Sequence, residues 1–111
     1  MKNLGFALLV VALASPLAAK EYKSVTLMDS MCSGEQKNID HPEDHKASCA
    51  LKCVKSGLGA MIDGKYVQFD KKGNDLAEEA IKKTKKKDHL LATINGDMKD
   101  DKLAVTSLVL E

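Results

Sequence analysis

Apolar and polar residues along the chain divide it into a short leader and one longer patterned region. Lys2 is followed by an unbroken apolar run from Leu4 to Ala14 and then by small residues up to Ala19. A basic residue, an apolar segment and a small-residue end are typical of a secretory signal peptide. A membrane anchor needs about twenty apolar residues, whereas here Pro16 and its small neighbours follow the run and mark a cleavage region. We therefore predict a signal peptide over residues 1–19 and one mature domain over residues 20–111.

Beyond the leader, the first pattern is that of a β-strand. Polar and apolar side chains alternate from Tyr22 to Met28, where β-branched residues are frequent. The polar stretch from Asp29 to Asp40 then predicts a loop. Pro42 suits a first helical turn, and Gly57 can adopt the left-handed conformation that ends a helix. We expect this first helix to run from Asp40 to about Ser56.

The second half of the chain predicts two hairpins and one further helix. Apolar runs at Leu58–Ile62 and Lys65–Phe69 flank Asp63-Gly64, which is a strong hairpin signal. A second helix is expected to begin near Asp75, because the apolar residues from Leu76 to Ile81 return at helical spacing. The last predicted elements are a strand over His89–Ile94, a turn at Asn95-Gly96 and a strand over Leu103–Leu110.

The order of these elements indicates the fold class. The chain is predicted to be mainly β with two helices, in the order β-α-β-β-α-β-β. Five short strands with a helix between the third and fourth match a small five-stranded Greek-key barrel of the OB type, here with an additional helix between the first two strands. No internal repeat or low-complexity linker indicates a second domain.

Charge and composition exclude two classes of partner. The chain has seventeen lysines, no arginine and sixteen acidic residues, and removal of the leader takes one of the lysines. A neutral mature domain has no global field that attracts nucleic acid, and recognition of phosphate or guanine relies on arginine. We therefore expect no nucleic-acid partner. No second apolar segment is long enough for a membrane span, and Lys85–Lys87 are expected to be a solvated helix end rather than an anion site.

Three cysteines, Cys32, Cys49 and Cys53, offer the most distinctive chemistry in the mature domain. Export favours disulfides, yet an odd number leaves at least one thiol unpaired. On the predicted first helix, His41 and His45 continue the spacing of the last two cysteines, so the four residues recur every four positions. They form one slanted stripe that points away from the apolar face of the helix.

Two interpretations of these cysteines remain open. In the preferred one, Cys32 forms a disulfide with Cys49 or Cys53, and such a bridge contributes about 2–4 kcal/mol. In the alternative, these three cysteines and His45 bind Zn²⁺ or Cu⁺, which favour thiolate and imidazole ligands. An exposed reactive thiol is a third interpretation. A thiol enzyme is not expected, because nothing in the sequence supplies an oxyanion site or a substrate cleft.

Four short motifs give the chain a resemblance to known proteins. They are Asp29-Ser30-Met31-Cys32, Cys49-x-x-x-Cys53-Val54-Lys55-x-Gly57, Asp63-Gly64-Lys65-Tyr66 and Val105-Thr106-Ser107. With these motifs the chain resembles a group of small exported bacterial domains of unassigned function, which are similar in plan to periplasmic bacterial OB-fold proteins. The resemblance covers nearly the whole mature chain. It implies an OB-type barrel and no established enzyme activity.

The sequence as a whole predicts an exported, non-enzymatic binding domain, periplasmic or secreted. We expect it to recognise a small ligand or a protein partner, with no catalytic residues and no cofactor, and with its cysteines forming a staple. The alternative function is transition-metal binding, with zinc or copper held by Cys32, His45, Cys49 and Cys53.

Overall fold

The computed structural model describes residues 20–111, and the predicted signal peptide over residues 1–19 lies outside them. The described part is mainly β, as predicted, and has five strands. It has three α-helices, so the prediction of two helices is wrong and the order is β-α-α-β-β-α-β-β. The strands are β1 (Lys20–Asp29), β2 (Leu58–Ile62), β3 (Lys65–Phe69), β4 (Leu91–Lys99) and β5 (Lys102–Leu110), and the helices are α1 (Gln36–Asp40), α2 (Ala47–Lys52) and α3 (Lys71–Lys83).

The five strands form one sheet in which every strand has a partner on both edges. β1 pairs antiparallel with β2 and with β4, β2 pairs with β3, and β4 pairs with β5. The remaining pairing joins β3 to β5 in parallel, with Gln68 opposite Lys102 and Phe69 opposite Leu103. The spatial order of the strands is therefore β1-β2-β3-β5-β4.

The hairpin of β2 and β3 has the bounds that the sequence predicts. Its turn is Asp63-Gly64, and both residues have positive φ, 51° and 79°. Glycine adopts this region without a steric cost, and aspartate is one of the few other residues that tolerates it. The Asp-Gly signal is thus confirmed.

The hairpin of β4 and β5 differs from its prediction. Asn95 and Gly96 do not form a turn but lie inside β4, where the register against β5 shifts between them. A Cβ atom on Gly96 would lie 2.5 Å from the carbonyl oxygen of Ala104, so this position needs glycine for a close approach of two strands. The turn falls at Asp100 and Asp101, which have φ values of 48° and 68°. The prediction is wrong because an Asn-Gly pair also suits a β-bulge.

A single helix from Asp40 to Ser56 does not form. Pro42–Asp44 and Val54–Ser56 are 3₁₀ turns, and between them only α2 is α-helical. His45 and Lys46, which precede α2, have extended backbones. The predicted stripe of histidines and cysteines therefore does not lie on one helix.

The interruption has a local and a tertiary cause. Pro42 disfavours the α conformation in the residue before it, and His41 has φ −133° and ψ 63°. Beyond that point the backbone bonds to another part of the chain, since the N–H of Ala47 donates to the carbonyl of Lys87 at 2.7 Å. The helix pattern of the sequence is thus overridden by packing.

α3 begins and ends earlier than the sequence predicts. Its first residue is Lys71 rather than Asp75, because the Asp70 carboxylate accepts the N–H of Gly73 at 2.9 Å and caps the first turn. Because the residues of that turn are polar, the sequence pattern predicts a loop there. The helix ends at Lys83, so Lys85–Lys87 lie beyond it and not in its last turn.

The hydrophobic core lies between the inner face of the sheet and α3. Ala77 and Ile81 of α3 are buried there together with Leu27, Ile94 and Leu103 from the sheet. No helix within residues 20–111 combines the length and the apolar content needed to cross a membrane. α2, which carries Cys49, packs on this core through Ala50.

Candidate metal centre

A buried polar pair lies at the end of β1. Asp29 is fully buried and His45 is 6% exposed. Nε2 of His45 donates a hydrogen bond to Oδ1 of Asp29, with the two atoms 2.7 Å apart. A carboxylate removed from water needs partners of this kind, because an unpaired buried charge is strongly destabilising.

The same carboxylate organises the loop that carries Cys32. The other oxygen of Asp29, Oδ2, accepts the backbone N–H of Cys32 at 2.9 Å. The carbonyl of Cys32 accepts the side-chain amide of Asn38 at 2.9 Å, which ties the loop to α1. The extended backbone at His45 brings this residue to the same carboxylate. Cys32 and His45 are therefore held on either side of one buried carboxylate.

These three residues offer three different ligand atoms in one place. One carboxylate oxygen of Asp29, the Sγ of Cys32 and one ring nitrogen of His45 all lie within 4.8 Å of one another. Thiolate and imidazole are preferred ligands of Zn²⁺ and of related transition metals, whereas Mg²⁺ and Ca²⁺ favour oxygen. The cluster thus has the donor types of a zinc-class site.

The distance between Oδ1 of Asp29 and Nε2 of His45 indicates a hydrogen bond between these atoms and not the binding of both atoms to one ion. Two ligands bound to one tetrahedral Zn²⁺ at its usual bond lengths are about 3.3 Å apart. At 2.7 Å, Oδ1 and Nε2 are a hydrogen-bonded pair instead. Because Asp29 engages Nε2, Nδ1 is the ring nitrogen of His45 that remains to bind an ion.

The thiol of Cys32 is held in its protonated form. Burial, and then the charge of Asp29 and a hydrogen bond to it, raise the pKa of Cys32 to about 12, and the Cys53 and Cys49 thiols add to this effect. A thiol with such a pKa is a poor nucleophile at neutral pH, because the thiolate is the reactive form. A metal ion could still displace the proton, so binding to this thiol would release H⁺.

Tyr66 lies near the Asp29 carboxylate. Its hydroxyl donates to the carbonyl of Met28 at 3.4 Å, and burial followed by the nearby charge of Asp29 raises its pKa, against a smaller lowering by a hydrogen bond with Ser30. A Cβ atom on Gly59 would lie 2.8 Å from Cζ of Tyr66, so the ring packs directly against this glycine. The Asp29 carboxylate is shielded from water.

Cys49 and Cys53 differ in their position relative to Cys32 and His45. Cys49, on α2, is exposed and lines a hollow of about 220 Å³ together with Cys32 and His45. Cys53 follows the last residue of α2, is half-buried and does not line this hollow. All three thiols are free, so neither of the predicted disulfides to Cys32 is formed in the structure. The staple stays a prediction.

A second group of possible ligand atoms lies nearby on the surface. His41, Glu43 and Asp44 also place one ligand atom each within 4.8 Å of the others. His41 is 69% exposed and lies 3.8 Å from the Glu43 carboxylate. Exposed clusters of this kind are ordinary solvated ion pairs, and none of their atoms is held by a buried partner.

The structure brings together only part of the site predicted from the sequence. Cys32, His45 and Cys49 share one hollow, whereas Cys53 lies outside its lining. The sequence pattern misses Asp29, because it places this residue in the polar loop after the first strand. A signal is nevertheless present: Asp29 follows directly on the apolar pair Leu27-Met28, which predicts that it lies near the core.

Comparisons of the chain with family models, with curated proteins and with solved structures find no match. The resemblance to exported OB-type domains therefore stays a prediction.

Proposed function

We propose that this chain is an exported domain that binds a transition-metal ion of the zinc class at Asp29, Cys32 and His45. The observation that carries the proposal is the convergence of carboxylate, thiol and imidazole ligand atoms within 4.8 Å, on residues that come from two separate segments. Burial of the Asp29–His45 pair supports it. Removing such a pair from water costs desolvation free energy, and a functional role explains why the pair is buried.

In the proposed site, Cys32 and His45 bind the ion directly and Asp29 orients the imidazole. Asp29 holds Nε2, which leaves Nδ1 for the metal, and a carboxylate behind a ligating histidine is the usual arrangement in zinc sites. Zn²⁺ is favoured over hard cations because sulfur and nitrogen donate; Cu⁺ shares this preference. The hollow beside the two ligands provides the route by which the ion enters.

The scaffold of the proposed site is an OB-type Greek-key barrel. The strand order β1-β2-β3-β5-β4 and the antiparallel pairing of β1 with β4 support this assignment, because they bring the first and fourth strands together. α3 lies between β3 and β4 in the chain, as the OB plan expects. The two short helices between β1 and β2 are then an addition that carries the metal site.

The proposal makes the domain a binding protein and not a thiol enzyme. The raised pKa of Cys32 supports this, because an enzyme nucleophile needs the thiolate at neutral pH. Export through the secretory route is part of the proposal, and it rests on the leader over residues 1–19. N-terminal sequencing of the exported protein should then begin at Lys20, and an N-terminus at Met1 would contradict it.

The metal site is tested with reduced, metal-free protein titrated with Zn²⁺ by calorimetry, and with Co²⁺ followed by absorption. We expect one ion per chain, and sulfur-to-cobalt charge-transfer bands that weaken strongly in Cys32→Ser. His45→Gln should weaken Zn²⁺ binding more than about 100-fold, which is the upper range for loss of an orienting residue alone.

His41→Gln is the matched control for this experiment. His41 belongs to the exposed cluster, so its replacement should leave the affinity unchanged within about twofold. Loss of binding in His41→Gln, with normal binding in His45→Gln, would move the ion to the surface cluster and refute the proposal. Absence of stoichiometric binding in the unaltered protein would refute it outright.

A further inference from the structure

A groove of about 590 Å³ separates α2 from the end of α3. Lys46, Ala47 and Leu51 line one side, and residues from Ile81 to Lys87 line the other. The segment after α3 folds back along α2, because the Lys87 carbonyl accepts the N–H of Ala47 at 2.7 Å. The lysine run after α3 is therefore one wall of a built groove.

The charged residues that line this groove are all positive. Five lysines line it and no acidic residue does; they are Lys46, Lys82, Lys85, Lys86 and Lys87. Within residues 20–111 the last three make no ion pair, while Lys46 lies 3.7 Å from Asp88 and Lys82 lies 3.0 Å from Glu78. In a domain whose charges otherwise balance, this concentration attracts a negatively charged partner.

The floor of the groove is apolar. Ile81 is 2% exposed and belongs to the core, and Leu51 and Ala47 pack against that core from α2. The basic wall is also anchored, since the N–H of Lys86 donates to the hydroxyl of Thr84 at 3.2 Å. An apolar floor with a fixed basic rim matches a segment that carries apolar and acidic side chains together.

We propose that this groove binds an acidic amphipathic peptide segment of a partner protein. The apolar side chains of the segment lie on Leu51 and Ile81, and its carboxylates meet the lysines of the rim. Nucleic acid fits the groove less well, because the chain has no arginine and the lining has no aromatic side chain for stacking bases. A flat membrane surface would reach the rim lysines and leave the floor uncovered.

This inference is independent of the proposed metal function. Lys46 lines both the groove and the hollow beside Cys32 and His45, so the two adjoin, but no lysine is required for metal binding. Metal-free protein is therefore expected to bind the peptide, and failure of either proposal leaves the other standing.

The experiment uses a fluorescent synthetic peptide of about sixteen residues, with glutamates on one helical face and leucines on the other. Its binding to the mature domain is measured by anisotropy over a range of salt concentrations. The groove variant is Lys85→Gln, Lys86→Gln and Lys87→Gln together. The matched control is Lys55→Gln, Lys71→Gln and Lys102→Gln, which removes equal charge around a different hollow that also contains aspartates.

We expect the groove variant to lower the affinity about tenfold and the control variant less than about twofold, with weaker binding as salt rises. Leu51→Asn should also lower the affinity, because it removes part of the floor. Equal losses in the two lysine variants, or no binding by the unaltered protein, would overturn the proposal. Tighter binding of a mixed-sequence single-stranded oligonucleotide or of phosphatidylglycerol vesicles, lost in the groove variant, would overturn the choice of a peptide.

Discussion

Asp29 and His45, sixteen residues apart, meet in the protein interior through a hydrogen bond of 2.7 Å between Oδ1 and Nε2. Among residues 20–111 no other side chain with a basic nitrogen bonds to this carboxylate. The pair joins the end of β1 to the extended backbone before α2, and so it fixes the path of the chain around the candidate metal centre.

Replacement of Asp29 by asparagine should destabilise the metal-free domain. The variant keeps the shape of the side chain but loses the charge to which His45 donates, and one partner of a buried pair is left poorly satisfied. We expect the free energy of unfolding to fall by about 2–4 kcal/mol, measured by urea denaturation. Asp63→Asn, in the exposed β2–β3 turn, should change it by less than about 0.5 kcal/mol. Equal effects of the two variants would show that the buried pair adds no stability.

The stability of the metal-free domain should decrease at alkaline pH because of Cys32. Its thiol titrates at 9.0 when unperturbed and at about 12 in the folded state. Above pH 9 the unfolded chain releases a proton that the folded chain retains, so the free energy of unfolding falls as pH rises towards 12; below pH 9 the contribution is complete.

This pH effect is measured as the difference between the unaltered protein and Cys32→Ala, by urea denaturation at several pH values. The pKa of Tyr66 is raised as well, and the comparison removes its contribution because both proteins contain it. The unaltered protein should lose stability more steeply above pH 9. Parallel curves would show that the Cys32 thiol ionises equally easily in both states.

The two remaining cysteines should differ in their effect on metal affinity. Cys49 lines the hollow beside Cys32 and His45, so its thiol can complete the coordination of a bound ion. We expect Cys49→Ser to weaken Zn²⁺ binding at least about tenfold and to reduce the sulfur-to-cobalt absorption of the Co²⁺ form. Cys53→Ser is the comparison variant and should have the smaller effect on both, because Cys53 does not line this hollow, although its thiol lies close enough to act electrostatically on Cys32. The reverse order of effects would place the ion on the other side of Cys32.

Gly59 in β2 should not tolerate replacement by another residue. A Cβ atom there would collide with the backbone carbonyl of Val67 and with the ring of Tyr66. Gly59→Ala is therefore expected to destabilise the domain by about 3 kcal/mol or to prevent folding, as judged by thermal denaturation. Gly34→Ala is the control, because a Cβ atom at that position would meet nothing within 4 Å and the stability should barely change. A normal Gly59→Ala protein would mean that the backbone of Val67 and the Tyr66 ring both move aside easily.

The sequence predicts the strands better than the segment that carries the site. β2 and β3 follow from their apolar runs and from Asp63-Gly64, because a local turn fixes the pairing of neighbouring strands. The break before α2 depends on a bond from Ala47 to Lys87, forty residues away, and no local pattern contains it. Helical periodicity over Asp40–Ser56 therefore predicts one helix where tertiary contacts produce several short pieces.

The candidate site is predictable in its residue types but not in its partners. Cys32 and His45 are visible as metal-binding types from the sequence, and they do converge. Their convergence does not come from helical spacing, since His45 lies outside any helix. Asp29 escapes notice because a carboxylate at the end of a strand is ordinary on a surface, and the apolar pair before it indicates the nearby core but not that the carboxylate is fully buried.

The parallel contact between β3 and β5 is confined to Gln68 and Phe69 on one strand and Lys102 and Leu103 on the other. β4 by contrast is bonded along both of its edges, to β1 and to β5. Local opening of the sheet should begin at the short β3–β5 pairing, because few backbone hydrogen bonds have to break there. Amide hydrogens of β3 on the edge that faces β5 should consequently exchange with solvent well before those in the middle of β4.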